Sequence, residues 1–166
     1  MDLHLAATPY TSLVEKVRRK WVSQGIPIKP AASGAQIEEF ERLHGVRFPD
    51  DLRHYFAQLY GMDDLEMDED NFSFIPLHEV KPIPAELALY GGMPDYREIV
   101  NTLEDPQDWF VIINFLITSA VYAILLRQRA DENPVIRIYD GTSVDVVASS
   151  FSDFLAVYLS DPSRLW

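Results

Sequence analysis

Six carboxylates occupy eight consecutive positions, Asp63, Asp64, Glu66, Asp68, Glu69 and Asp70. Like charges at that density repel, so something positive, a partner or full solvation must offset them. Three readings compete. The run is a solvated loop that aids solubility; or it binds calcium; or it docks onto a basic protein. For calcium, Asp64, Glu66 and Asp68 stand at alternate positions, but Glu69 follows where an EF-hand loop needs glycine, and no closing glutamate is found from Asn71 to Pro76. For docking, a concentrated negative patch speeds association with a positive cleft and rejects wrong partners. Leu65 and Met67 interleave the acids, and Tyr60 and Phe72 flank them as apolar anchors.

Catalysis finds less to work with. The histidines are His4, His44, His54 and His78, and no pair has metal-ligand spacing. H-E-x-x-H, glycine-rich phosphate loops and the G-x-S-x-G nucleophile turn are absent. Glu38, Glu39 and Glu41, with Asp50 and Asp51, are numerous enough for acid–base work, but the glutamates flank Phe40 on the side away from Ile37 and Leu43, which is a water-facing helix surface. The absence of cysteine removes disulfides, thiolate zinc sites and cysteine nucleophiles. The expectation is a binding protein with no catalytic residue, metal or cofactor; a small hydrolase is the weaker alternative.

Charge is unevenly distributed. Of the 166 residues, the segment 61–108 carries 13 acidic and two basic side chains, nearly the whole net charge of -12. That balance opposes binding to nucleic-acid backbones and anionic bilayers. The N-terminus shows no basic leader with an apolar stretch, so the expected location is the cytoplasm. Trp109–Leu126 is 18 residues without a charge, the lower edge of spanning length, yet Asn114, Thr118 and Ser119 divide it into two buried strands.

The elements that must position the acids follow from capping and periodicity. Thr8 and Pro9 open a first helix with Leu13, Val14, Val17 and Trp21 inward and Lys16, Arg18, Arg19 and Lys20 mostly in water, ending before Gly25. Ser33 and Gln36 form a capping box ahead of Ile37, Phe40 and Leu43, and Gly45 ends that helix. Pro49, Asp50 and Asp51 start a third, burying Leu52, Tyr55, Phe56 and Leu59. Strands are expected at 72–75, 109–115, 120–127, 135–139 and 144–147, the last two joined at Asp140-Gly141. Ser150 and Asp153 open a final helix. Residues 76–108, rich in proline and glycine, read as a long loop with one short helix around Tyr96–Leu103. The order helices, strands, helix predicts one α+β domain over residues 1–166, a mostly antiparallel sheet covered by helices.

From Trp21 to Leu77 a longer pattern emerges. Trp21, Gly25, the run Ala31 to Glu41, the run Gly45 to Arg53, Tyr55, Gly61 and Phe74-Ile75-Pro76-Leu77 resemble the SUKH superfamily signature, joined later by Trp109 and the helix opening at Ser150-Phe151. The resemblance implies an α+β fold and a non-enzymatic immunity protein that binds and neutralises a cognate toxin, often a nuclease; the alternative it offers is a regulatory interaction module like the fungal branch that controls cell-wall synthesis. Two positions depart from it. Tyr60 stands before Gly61 where the superfamily has a small polar residue, and the loop Asn114–Ser119 is apolar at Phe115, Leu116 and Ile117. The partner-binding surface is therefore placed on Tyr60 to Asp70 and on Phe72, with a protein toxin as partner.

Overall fold

The computed structural model describes residues 9–92, 94–129 and 131–166. Thr8, the expected cap of the first helix, and His4 lie outside them. The first helix, α1 (Pro9–Ser23), buries Val14, Val17 and Trp21. In α2 (Gly34–His44) the capping box is present: Ser33 Oγ accepts from the Gln36 N–H at 3.2 Å, Gln36 Oε1 accepts from the Ser33 N–H at 2.9 Å, and Gly45 closes the helix at φ 62°. Only Ile37 and Phe40 of α2 turn inward; Leu43, expected on that face, is exposed. The third helix, α3 (Asp50–Leu59), buries Leu52, Tyr55, Phe56 and Leu59 as its spacing predicts.

Six strands form one antiparallel sheet: β1 (Phe72–Phe74), β2 (Lys81–Pro82), β3 (Trp109–Phe115), β4 (Ala120–Leu125), β5 (Val135–Tyr139) and β6 (Ser143–Ala148). The order is β1-β3-β4-β5-β6, and β2 pairs with β3 as well. β1 and β2 lie along one edge of β3, with Phe74 opposite Ile113 and Lys81 opposite Val111. The uncharged run thus becomes β3, a turn and β4, and no helix among the described residues is long and apolar enough to cross a membrane.

The last helix, α6 (Phe151–Ser160), begins where Ser150 accepts from the Asp153 N–H. Its Phe154 packs on Tyr122 (5.4 Å between centroids) and its Tyr158 on Phe72 and Phe74 (5.5 and 5.0 Å), while Trp21 of α1 meets Phe74 at 5.1 Å. α1, α3 and α6 therefore build one aromatic layer on the sheet. Neighbours Val121 and Tyr122 point to opposite faces yet are both fully buried, so the centre of the sheet is covered on both sides. The architecture is α+β, as expected.

The segment 76–108 is more regular than its composition suggests. It holds a 3-10 turn (Leu77–Glu79), β2, α4 (Ile83–Leu87), α5 (Arg97–Thr102) and a second 3-10 turn (Pro106–Asp108). Only α5 falls where a helix was expected. The prolines that forbid long elements sit at the starts of short ones, where a missing N–H costs nothing: Pro76 and Pro82 precede a 3-10 turn and α4, and Pro84 and Pro106 occupy first-turn positions. Leu77, Val80, Ile83, Leu87, Tyr96 and Ile99 bury the segment's apolar side chains.

Candidate functional site

The acidic run leaves α3 through two residues of positive φ, Tyr60 (58°) and Gly61 (123°). A Cβ on Gly61 would lie 2.6 Å from the Pro76 Cα, so only glycine lets the chain turn against that backbone. The following loop is tied down by cations of the first helix and the connector. Lys20 Nζ donates to Asp70 at 2.8 Å, Lys29 pairs with Asp63, and Gln24 Oε1 accepts from the Glu69 N–H at 3.0 Å. Lys20 and Lys29 offset part of the run's negative charge. Lys20, expected in water, is instead mostly covered and stands 4.0 Å from the centroid of the Tyr158 ring.

The eight residues proposed as a binding surface do not share one fate. Asp68 and Phe72 belong to the interior. Asp68 accepts from the backbone N–H groups of Asp70 and Phe72 at 2.9 Å each and from the Tyr158 hydroxyl, with Lys20 Nζ at 4.0 Å. Burial pushes its carboxyl above the usual aspartate range, against the opposing effect of those hydrogen bonds and of Lys20. Burial and the Asp68 charge push the Tyr158 hydroxyl up as well, so Tyr158 stays a donor. Phe72 is fully buried among Phe115, Tyr122 and Tyr158 and offers nothing to a surface contact. The run buries one acid because β1 must begin under α6, and Asp68 satisfies the N–H groups at its entry.

Tyr60 is half-buried and faces elsewhere. Its hydroxyl meets His78 Nδ1 at 3.0 Å and its ring stacks on that imidazole, in a second depression shared with Phe40, Leu43 and His44. The remaining acids stay near the surface. Glu66 accepts from the Asp63 N–H at 3.0 Å, which folds the turn, while Asp64 and Glu69 have exposed carboxylates with no ion pair among the described residues.

Asp63, Asp64 and Glu66 rim a groove of about 670 Å³ whose other walls come from distant parts of the chain. Met62, Leu65 and Met67 are joined there by Leu89 and Tyr90 after α4 and by Ile117 and Thr118 in the β3–β4 turn. Leu65 is 86% exposed, Ile117 71% and Leu89 66%. Leu65 and Ile117 also hold positive φ, 65° and 49°, and Ile117 sits within three consecutive left-handed residues, Leu116 to Thr118. That conformation is unfavourable for a branched side chain, and exposure of large apolar groups adds to the cost. The turn Asn114–Ser119, set aside in favour of Tyr60–Asp70, thus faces the same groove as the acids. Its apolar composition was the signal; its proximity to residues 63–67 was not readable from spacing.

Three other polar groups, His44, Glu41 and Asp51, make contacts within the fold. Partial burial against Phe40 and Phe110 pulls the His44 imidazole below its ordinary range, although the residue remains solvent-accessible. Glu41, expected in water, is half-buried, accepting from the Phe48 N–H at 2.9 Å and pairing with Arg53. Asp51 caps α6 by accepting from the Ser152 N–H and hydroxyl at 2.8 and 2.9 Å. Among the described residues no three histidine or carboxylate side chains converge as metal ligands.

The structure is an open antiparallel sheet with an acid-rimmed groove that exposes apolar side chains. The model of the SMI1 / KNR4 family (SUKH-1) matches residues 31–157, and the chain belongs to that family. Membership supports an interaction module of the toxin-immunity or SMI1/KNR4 type. Comparison with curated proteins gave no match.

Proposed function

We propose that this chain is a cytoplasmic, non-enzymatic immunity protein that binds a cognate toxin, a nuclease or another enzyme with a basic cleft, and blocks it. The observation that carries the reading is the groove, where exposed Leu65, Leu89 and Ile117 stand beside Asp63, Asp64 and Glu66. Burying each of those three side chains in a partner would contribute about 1.5–3 kcal/mol. A rim ion pair would add only about 0–1 kcal/mol. The apolar groups therefore supply affinity, and the carboxylates supply encounter rate and selectivity. Asp64 and Glu69, exposed and without an ion pair among the described residues, extend the negative field outward beyond the groove.

Co-expression with the product of the adjacent gene tests this. Rescue of growth together with co-purification is expected. Co-purification with a product that is not toxic would favour a regulatory module instead, and measurable turnover lost on replacing one histidine or carboxylate would overturn the non-enzymatic assignment.

A further inference from the structure

The groove contains a carboxylate that the acidic loop does not supply. Glu86, in α4, is only 8% exposed and lines the groove. Its Oε1 accepts from the Tyr90 hydroxyl at 2.8 Å, but Oε2 is buried without a hydrogen bond. The nearest cation, Lys81 Nζ, is 3.7 Å away and donates to the Glu79 carbonyl at 3.0 Å. Oε2 therefore has Lys81 at ion-pair distance but no hydrogen bond, and an acceptor already stripped of water with that capacity unused favours a further cationic donor that reaches it.

The surroundings select what that cation is. An anionic occupant would face Asp64, Glu66 and Glu79 with only Lys81 to receive it. A wholly apolar one would leave Glu86 Oε2 without a hydrogen bond, its charge offset by Lys81 alone. A long side chain with an aliphatic stem and a charged head satisfies both parts, the stem along Leu89, Tyr90 and Ile117 and the head at the carboxylate. Guanidinium suits this better than ammonium, because it is more weakly hydrated and its planar fork can meet Glu86 and a rim carboxylate together.

We propose that the groove binds a partner segment in which an arginine, flanked by aliphatic side chains, delivers its guanidinium to Glu86. This deepens the protein-binding reading and rests on it. The test is an amide-resolved NMR titration of the protein with a capped pentapeptide, alanine-leucine-arginine-leucine-alanine, and with the same peptide carrying citrulline or lysine at its centre. The arginine peptide shifts the amides of Leu65, Glu66, Leu89, Tyr90, Ile117 and Thr118 and binds at least about tenfold more tightly than the citrulline peptide, as expected for a desolvated charge pair. Glu86→Gln, checked for an unchanged melting temperature, abolishes that preference. Leu89→Ser, at an exposed position, weakens all three peptides alike and serves where Glu86→Gln does not fold. Equal affinity for arginine and citrulline, or shifts confined to other surfaces, or none, would overturn the occupant; equal affinity for arginine and lysine would overturn the guanidinium assignment. A toxin that still co-purifies after any of these failures leaves the immunity reading standing, so the two fail separately.

Discussion

Asp68 is the residue on which the geometry of the acidic loop depends. Replacing it with alanine would strand the Asp70 and Phe72 N–H groups and the Tyr158 hydroxyl, a loss of about 3 kcal/mol readable in urea unfolding. Its pH dependence runs opposite to that of most paired carboxylates. Because burial raises its folded pKa, the folded state binds the proton more tightly than the unfolded chain, and the stability this contributes is present in acid and lost as pH rises from the ordinary aspartate range through the raised value. Compared with Asp68→Asn, the natural chain should therefore lose relative stability from about pH 4 upward; a difference that grows with pH would contradict the raised pKa. Nothing in the sequence separated Asp68 from its five acidic neighbours. Residue type marks the run as negative, whereas the inward turn of one member depends on Lys20 and Tyr158, 48 and 90 positions away.

At the level of elements, the β3–β4 turn sets stability against function. Three successive left-handed residues, two of them β-branched, cost energy that a Gly- or Asn-containing turn would avoid. Ile117→Asn should raise unfolding stability by about 1 kcal/mol, since asparagine tolerates that backbone region, while weakening partner binding at least about tenfold through loss of an apolar contact. Higher stability with unchanged affinity would remove Ile117 from the interface. Local chemistry made several elements legible in advance: the Ser33–Gln36 box, Gly45, Ser150 and the polar break at Asn114–Ser119 each act within a few residues. The pieces of 76–108 were not legible, because a five-residue helix such as α4 has too few turns to show a period and is held by its buried Ile83 and Leu87. The groove was hidden for the same reason, two of its three walls lying in that segment and in the β3–β4 turn.

For the molecule as a whole, the concentration of negative charge in 61–108 acquires a direction. Lys20 and Lys29 neutralise the side of the loop that meets the body of the protein, which leaves Asp64, Glu66 and Glu69 as its outward charge. A field of that kind acts on a basic partner before contact and fades as salt shortens its range. The most direct measurement is the association rate with the purified toxin across ionic strengths from ~0.01 M to ~1 M, over which screening contracts from ~30 Å to ~3 Å. It should be made for the natural chain and for the combined variant Asp64→Lys, Glu66→Lys, Glu69→Lys. The rate of the natural chain should fall at least about tenfold as salt rises, and the variant should associate slowly at every salt concentration with little change in dissociation. Association that ignores salt, or a variant as fast as the natural chain, would contradict the claim that this face captures its partner.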